Sequence, residues 1–355
     1  MALKRVAIVG TVGIPARYGG FETLAENLVL NKSEGITYDV FCSAPSYERQ
    51  RATYGGAKLI YLRCSANGAS SVLYDFLSLY KCYRDKYDVI LILGVSGCLL
   101  LPAIKTFGKY KVVTNIDGME WRRKKWGWWA KLFLKISERF AVKYSDIVVT
   151  DNQGISDYVK NSYGVLPKTI SYGGDHAIVG CNAELNETRQ GKYAFALCRI
   201  EPENNVHLVL EAFHSASYSL VFVGNWDAST YGMNLKSTYC GSCNIKLLDP
   251  IYDLKELFRY RSQCSLYVHG HSAGGTNPSL VEMMHFGKPI LAFDCIYNRY
   301  TTEQKAAYFT SASDLSKFLV NYEGEGLEEN AKAMEVLAKK YYTWARVTKE
   351  YESLF

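Results

Sequence analysis

Short β-branched runs alternate with amphipathic stretches along nearly all of this 355-residue chain, and that rhythm admits few folds. An apolar run too short for a helix, followed by a helix-length stretch with one apolar side, is the mark of parallel β–α units. In the first half it predicts strands at Arg5–Val9, Tyr38–Cys42, Lys58–Arg63, Val89–Leu93, Lys111–Asn115 and Ile147–Thr150, with helices near Phe21–Asn31, Ser71–Arg84, Trp126–Tyr144 and Gly154–Ser162. The rhythm pauses around Gly173-Gly174-Asp175 and the polar stretch Cys181–Gly191. It restarts with strands at Tyr193–Leu197, Leu220–Val223, Ile245–Leu248, Ser265–His269 and Pro289–Phe293. Helices are predicted at Asn205–Ser215, Leu254–Tyr260, Pro278–Phe286 and Ala312–Leu319, with a helical tail from Leu327. The length is too great for one ordinary core. Two doubly wound α/β domains facing a cleft are the expected architecture.

Several classes of function fall away on composition. With 48% hydrophobic and 21% charged residues the chain is neither disordered nor fibrous. Met1–Gly10 is too short an apolar run for a signal peptide. Val89–Ile104 lacks charges but is broken by Gly94, Ser96, Gly97 and Pro102, and it falls short of the roughly 20 residues of a spanning helix. It reads as a buried strand, a turn and a helix. Ten cysteines without a signal peptide point to reduced thiols and a cytoplasmic chain. Cys240-Gly-Ser-Cys243 is a lone pair without the second half of a zinc site.

The net charge of +6 is concentrated in one place. Trp121–Ser145 holds eight basic residues and one acid, an excess of seven, so the rest of the chain is close to neutral. Such a patch points to an anionic partner.

Ligands of doubly wound sheets sit beyond the carboxyl ends of the strands, and three loops there are unusual. The first, Gly10–Thr23, contains Arg17, Tyr18, Gly19, Gly20 and Glu22, and its glycines let backbone amides approach an anion. It lacks the G-x-G-x-x-G spacing and the later acid of a dinucleotide site, which argues against a NAD-type dehydrogenase. In the second, Asn115–Trp121, Asp117 and Glu120 follow a strand; all six histidines lie beyond residue 175, so a proton acceptor from the first half would be one of these carboxylates. The alternative is that Asp117 caps a helix and Glu120 lies in its first turn. The third, His269–Glu282, is Gly-rich and leads into a helix with Pro278 at its start. Its amides and helix dipole form a diphosphate cradle, with Glu282 one turn inside and able to accept from ribose hydroxyls. Arg199, after the strand at Tyr193–Leu197, could clamp a pyrophosphate in bidentate fashion.

Taken together, Pro15–Thr23, Asp117–Trp121, Tyr172–His176, Arg199–Asn205 and Gly274–Glu282 resemble the family 4 retaining glycosyltransferases of the GT-B fold. More narrowly they are similar to bacterial rhamnosyltransferases of capsule, O-antigen and rhamnose-rich cell-wall polysaccharides. The resemblance implies an acceptor-binding Rossmann-like domain over 1–172, a nucleotide-sugar-binding one over 173–340, and a helix over 341–355 that crosses back to the first domain. It implies donor contacts from Arg199, Asn204, Gly275, Thr276, Asn277, Ser279, Leu280 and Glu282, with Gly19 and Gly20 approaching the donor phosphate. Arg17, Tyr18 and Glu22 are expected on the acceptor side, and Asp117 and Glu120 are expected to orient or deprotonate the acceptor hydroxyl. Three departures stand out: Gly274 occupies the place of the first of the family's paired glutamates, Asn204 replaces a lysine, and the first domain has no histidine.

Trp121–Trp129 mixes Arg122, Arg123, Lys124 and Lys125 with four tryptophans, among them Trp126, Trp128 and Trp129. Indoles and cations flanking a helix suit an anionic bilayer surface; otherwise the tryptophans pack in the core and the charges are solvated. The expected function is transfer of L-rhamnose from dTDP-L-rhamnose onto a polyprenyl-diphosphate-linked sugar at the cytoplasmic face of the membrane. No metal or other cofactor and no nucleic-acid partner is expected, since neither a D-x-D pattern after a strand nor a nucleic-acid-binding module is present. Another donor, such as a UDP-hexose, a UDP-N-acetylhexosamine or GDP-fucose, a sugar-nucleotide epimerase, and a non-catalytic membrane adaptor are the rivals.

Overall fold

The computed structural model describes residues 3–16, 19–68, 70–116, 118–123, 126–178, 192–320 and 326–355. The chain divides into two compact units, one of residues 1–172 with 344–355 and one of residues 173–343.

The first unit runs β1 (Lys4–Val9), α1 (Gly20–Leu30), β2 (Ile36–Ser43), β3 (Thr53–Tyr54), β4 (Ala57–Leu62), α2 (Ser70–Asp85), β5 (Val89–Leu93), α3 (Leu101–Phe107), β6 (Lys111–Ile116), α4 (Trp128–Tyr144), β7 (Ile147–Thr150), α5 (Gln153–Tyr163) and β8 (Lys168–Thr169). Its strands form one sheet in the order β3-β4-β2-β1-β5-β6-β7-β8, parallel except for the short β3–β4 pair. Val6 of β1 faces Tyr38 of β2 on one side and Val89 of β5 on the other. β5 is buried along its whole length, as a central parallel strand must be when helices cover both sides. From β1 the chain moves outward to β2, and it later returns across the sheet to β5. The winding therefore reverses between β1 and β5, where such sheets open a crevice for ligands.

The second unit runs β9 (Tyr193–Leu197), α6 (Val206–His214), β10 (Ser219–Val223), α7 (Thr230–Tyr239), β11 (Ile245–Leu248), α8 (Leu254–Gln263), β12 (Leu266–His269), α9 (Pro278–Met284), β13 (Ile290–Phe293), α10 (Ile296–Thr301), β14 (Ala307–Phe309), α11 (Ala312–Val320) and α12 (Gly326–Tyr341). Its parallel sheet has the order β11-β10-β9-β12-β13-β14, so the winding reverses between β9 and β12. Phe213, Phe222, Trp226 and Leu315 fill the core on one side of it. A last helix, α13 (Trp344–Glu352), belongs to the first unit.

Differences from the sequence-based expectations have local causes. α4 begins at Trp128 because Gly127 stands at its N-cap with extended backbone. α7 went unpredicted because Gly232 is its one buried residue and no apolar stripe announces it. The tail is two helices, and Tyr341–Thr343 stays with the second unit. α13 buries Trp344, Val347, Thr348 and Tyr351. Asn115 Nδ2 donates to the Tyr351 hydroxyl at 2.7 Å, and Tyr38 meets Phe355 edge-on at 6.3 Å. No helix among the described residues is long and apolar enough to cross a membrane.

Since Tyr351 supplies the partner of a buried amide, Tyr351→Phe is expected to lower stability by about 1–3 kcal/mol. A shift of the urea midpoint at constant slope would show it, and an unchanged midpoint would remove this bond from the account.

Candidate active site

In the second unit, two loops meet beyond the carboxyl ends of β9 and β12. Asn205 Nδ2 donates to the Gly270 carbonyl at 2.9 Å, and Ser272 donates to the Glu203 carbonyl from its amide at 3.0 Å and its hydroxyl at 2.7 Å. A Cβ on Gly270 would run into the Asn204 carbonyl oxygen, so only glycine lets the loops close up this far. Arg199 rises from this base. Its carbonyl accepts from Asn204 Nδ2 at 2.6 Å, and the amide of Ile200 donates to Asn225 Oδ1 at 2.8 Å. The Arg199 side chain keeps 40% of its surface exposed, with Glu201 3.8 Å away. Asn204 is itself buried, which makes it a brace for the Arg199 loop instead of the donor contact expected.

The second loop ends in an N-cap. Asn277 Oδ1 accepts from the Ser279 amide at 3.0 Å and the Ser279 hydroxyl at 2.8 Å, and the Asn277 carbonyl accepts from the Leu280 amide at 3.1 Å. The expected donor contacts from Ser279 and Leu280 are therefore corrected: both amides already close the cap, and the Leu280 side chain lies in the core. Thr276 is also buried. Among the described residues, the amides of Gly274, Gly275 and Asn277 donate to no protein acceptor. Gly274 has φ +103°, a conformation that favours glycine.

Glu282 lies one turn into α9, within an ion cluster. Its Oε2 pairs with Arg261 Nη2, and its Oε1 lies 3.3 Å from His176 Nε2. Gly174 brings His176 there, because a Cβ at that glycine would meet the Val281 backbone at 2.6 Å. Burial pushes the Glu282 pKa up, but Arg261 and His176 outweigh it and hold the carboxyl below its ordinary value. Glu282 was expected to meet ribose; the structure adds the Arg261 guanidinium and the His176 imidazole, which fix where its carboxylate stands. Arg261 carried no sequence signal, since a basic residue in the last turn of a helix ordinarily faces solvent. At the end of β12, His269 is buried and stacks on His271 at 4.4 Å. Burial lowers its pKa to about 3, so it is neutral.

In the first unit, the loop after β1 is pinned from four sides. Tyr74 donates to the Thr11 carbonyl at 3.0 Å, the Ser43 amide to the Val12 carbonyl at 2.8 Å, and Tyr47 to the Pro15 carbonyl at 3.2 Å. Glu22 is the fourth tie, accepting from the Val12 amide at 2.8 Å. Glu22 is buried, and burial raises its pKa despite that bond. Gly19, at φ +127°, lies over the Glu22 carboxylate where a Cβ would collide with it. Gly20 begins α1. Glu22 therefore holds the loop from below, a correction to its expected place against the acceptor. Arg17 and Tyr18 lie outside the described residues.

Beyond β6, Asp117 also lies outside the described residues. Glu120 is tied on both oxygens, to Arg123 Nε at 2.8 Å and Trp126 Nε1 at 3.1 Å. It clamps its own turn, which corrects the expectation of a carboxylate free to take a proton. Trp121 is anchored too, donating to the buried Glu138 at 3.0 Å, with Lys135 Nζ 4.4 Å from its ring centre. Arg122 stacks over Trp121 at 5.1 Å. The tryptophan patch thus divides. Trp121 and Trp126 hold the loop, whereas Trp128 and Trp129 are 65% and 77% exposed, beside exposed Leu132 and Ile136 one and two turns along α4. Lys124 and Lys125 lie outside the described residues.

Arg261→Ala would leave Glu282 buried without its guanidinium partner, and a loss of about 3–5 kcal/mol in chemical denaturation is expected. The pH dependence has a sign. Because the Glu282 pKa is depressed, its contribution is present above the ordinary carboxylate range and is lost as pH falls through the folded value. Glu282→Gln should accordingly flatten part of the acid limb of a stability–pH curve; an identical limb would exclude Glu282 from it.

Comparison with known proteins follows the same division of the chain. Residues 3–175 match the family described as "Domain of unknown function (DUF1972)", and residues 182–319 match "Glycosyl transferases group 1". No curated protein sequence matches. Among solved structures, sucrose-phosphate synthase from Thermosynechococcus elongatus superposes with TM-score 0.80 at 13% identity, over 99% of this chain and 98% of that one. HepE from Anabaena in complex with UDP and glucose gives 0.76 at 12%, over 99% and 98%. The catalytic domain of starch synthase IV from Arabidopsis thaliana, bound to ADP and acarbose, gives 0.72 at 11%, over 100% and 99%. At such identities the likeness is one of fold, and that fold is GT-B, with two Rossmann-like domains.

Proposed function

We propose that the chain is a glycosyltransferase, a reading supported by the group 1 match in its second half and the GT-B fold throughout, and that it moves L-rhamnose from dTDP-L-rhamnose, with retention, onto a polyprenyl-diphosphate-linked sugar. The observation that carries the donor side is the pairing of the Arg199 loop with the Gly270–Asn277 loop where the second sheet reverses its winding. Arg199 supplies a partly exposed positive charge there, and the amides of Gly274, Gly275 and Asn277 supply fixed partial charges. In transfer, the acceptor oxygen bonds to the anomeric carbon, the bond from that carbon to the donor phosphate oxygen breaks, and the diphosphate departs with the electron pair. Donors placed where that charge develops lower the barrier, and on this reading no metal is needed. Asp117 orients or deprotonates the acceptor hydroxyl. The rhamnose assignment rests on the sequence resemblance alone, to which the departures at Gly274 and Asn204 and the lack of a histidine in the first domain add support.

Turnover of dTDP-L-rhamnose against UDP-sugars and GDP-fucose, with a synthetic lipid-diphosphate sugar as acceptor and a chelator present, tests this. Rhamnose transfer in which the product keeps the anomeric configuration of the donor, that is with retention, is expected. Transfer only from another donor would overturn rhamnose and keep the class; conversion without an acceptor would mean an epimerase. Arg199→Ala is expected to lower kcat about 10²–10³-fold with the fold intact. The thermal shift with dTDP, which is about 2.7 kcal/mol of stabilisation at 100 times the dissociation constant, should shrink with it. An adaptor would respond to no nucleotide.

We also propose that α4 docks on the anionic inner face of the cytoplasmic membrane, which would deliver the lipid-linked acceptor. Trp128, Trp129, Leu132 and Ile136 line one side of the helix, followed on that side by exposed Arg139. Apolar side chains entering the headgroup region beside basic residues, each worth about 1 kcal/mol near an anionic surface, make a reversible anchor. Replacing Trp128 and Trp129 with Ser should abolish co-sedimentation with phosphatidylglycerol vesicles while leaving the thermal midpoint in place. Equal binding by the double variant would refute docking through this helix.

A further inference from the structure

Ser96 and Asp75 form a pair that neither the donor cradle nor the acceptor motifs use. Asp75 lies in α2 and is buried; Ser96, half-buried, follows the end of β5 and donates its hydroxyl to the Asp75 carboxylate. Gly97 seats the two segments together, since a Cβ there would meet the Asp75 Cβ at 2.7 Å. The preceding residue of α2, Tyr74, holds the loop after β1 through the Thr11 carbonyl. α2 thus grips both loops bordering the β1–β5 reversal, and Gly10 draws them into contact, because a Cβ on it would strike the Leu93 carbonyl oxygen. The pair stands at the point of the first sheet where a doubly wound fold takes its ligand.

We propose that Ser96 contacts the attacking hydroxyl of the acceptor, with Asp75 as the positioning carboxylate behind it. This rests on the glycosyl-transfer reading above. As the acceptor oxygen bonds to the anomeric carbon and the diphosphate leaves with the electron pair, the hydroxyl proton passes to Ser96 Oγ and the Ser96 proton passes to Asp75. Asp75 then releases it to solvent, and Asp117 keeps the role of orienting the same hydroxyl.

The surroundings suit a carboxylate that must change its charge. Among the described residues, three titratable groups face it: Tyr74 on α2, Cys64 after β4 and Cys98 after β5. Burial pushes each of them up, so all three are neutral near pH 7. No cation faces it among the described residues; burial raises its pKa to about 7, and the Ser96 hydrogen bond only partly opposes that rise. Asp75 protonated below that pH cannot receive a proton, so activity should rise with pH through about 7. Stability runs the other way. A carboxyl whose folded pKa is raised contributes most when protonated, and that contribution is lost as pH rises through 7.

The experiment is kcat/KM for sugar transfer between about pH 5.5 and 9, for wild type, Asp75→Asn, Ser96→Ala and Ser96→Thr, with the dTDP thermal shift followed in parallel. Asp75→Asn is expected to lose the rise near pH 7 and at least about 10²-fold in kcat, while its melting temperature at pH 8 stays level or increases. A latch with no part in the reaction would instead lower the melting temperature and spare the profile. Ser96→Ala should behave like Asp75→Asn, and Ser96→Thr should keep the profile. Wild-type kcat and an unchanged pH rise in both Asp75→Asn and Ser96→Ala would overturn the proposal and leave glycosyl transfer standing. If Asp75→Asn lost the dTDP shift, its fold would be disturbed, and the two Ser96 variants would decide alone. A wild type that binds no nucleotide and transfers no sugar would overturn the glycosyl-transfer reading and this proposal with it.

Discussion

Each unit depends on one close approach of backbone to backbone at the reversal of its sheet. Gly10 lies against the Leu93 carbonyl in the first, and Gly270 against the Asn204 carbonyl in the second. Any side chain at either glycine would force the two loops apart. With the loops in contact, the carbonyls and amides left over are committed to one another, as in the bonds from Asn205 to Gly270 and from Ser272 to Glu203. The same contact limits which groups can still meet a ligand. In the second unit they are the Arg199 side chain and the amides of Gly274, Gly275 and Asn277.

Behind these loops stand buried charges, each in a different state of compensation. Glu282 has Arg261 and His176 and stays ionised. Glu138 has Lys135 and the Trp121 indole, and through Trp121 it ties the loop after β6 to α4. Asp75 has one hydroxyl and no cation among the described residues. A buried pair is a weak source of stability, because desolvation offsets most of its attraction. The first two clusters are better understood as devices that fix position. The third fixes position and leaves its carboxyl able to titrate.

Much of the fold was legible in the chain because strand and helix periods are local properties. β5, β7, β9, β10 and β11 were read to within a residue, since each is a short apolar run between polar punctuation. α7 and β14 escaped, the one for want of an apolar stripe and the other for being three residues long. The loops were legible as glycine-rich breaks after strands. Which side chain in each loop faces outward was not. Glu22, Glu120 and Asn204 carry the residue types of a binding site, yet each turns back to hold its own loop. Asp75 and Ser96, 21 residues apart and set in unremarkable sequence, gave no motif to find.

The sequence by itself determined the two alternating β–α halves, the glycine-rich turns after β1 and β12, and the collection of positive charge and indoles around α4. These follow from periodicity, from the backbone freedom of glycine and from composition, all of which are properties of neighbouring residues. Only the tertiary structure decided which carboxylates are braced, which are paired and, at Asp75, which is buried without a cation among the described residues. It also separated the tryptophans that anchor the loop after β6 from those exposed on α4. The physical reason is that burial and partnership arise between residues far apart in the chain, as when Glu282 meets Arg261 and His176, and no local pattern records those distances.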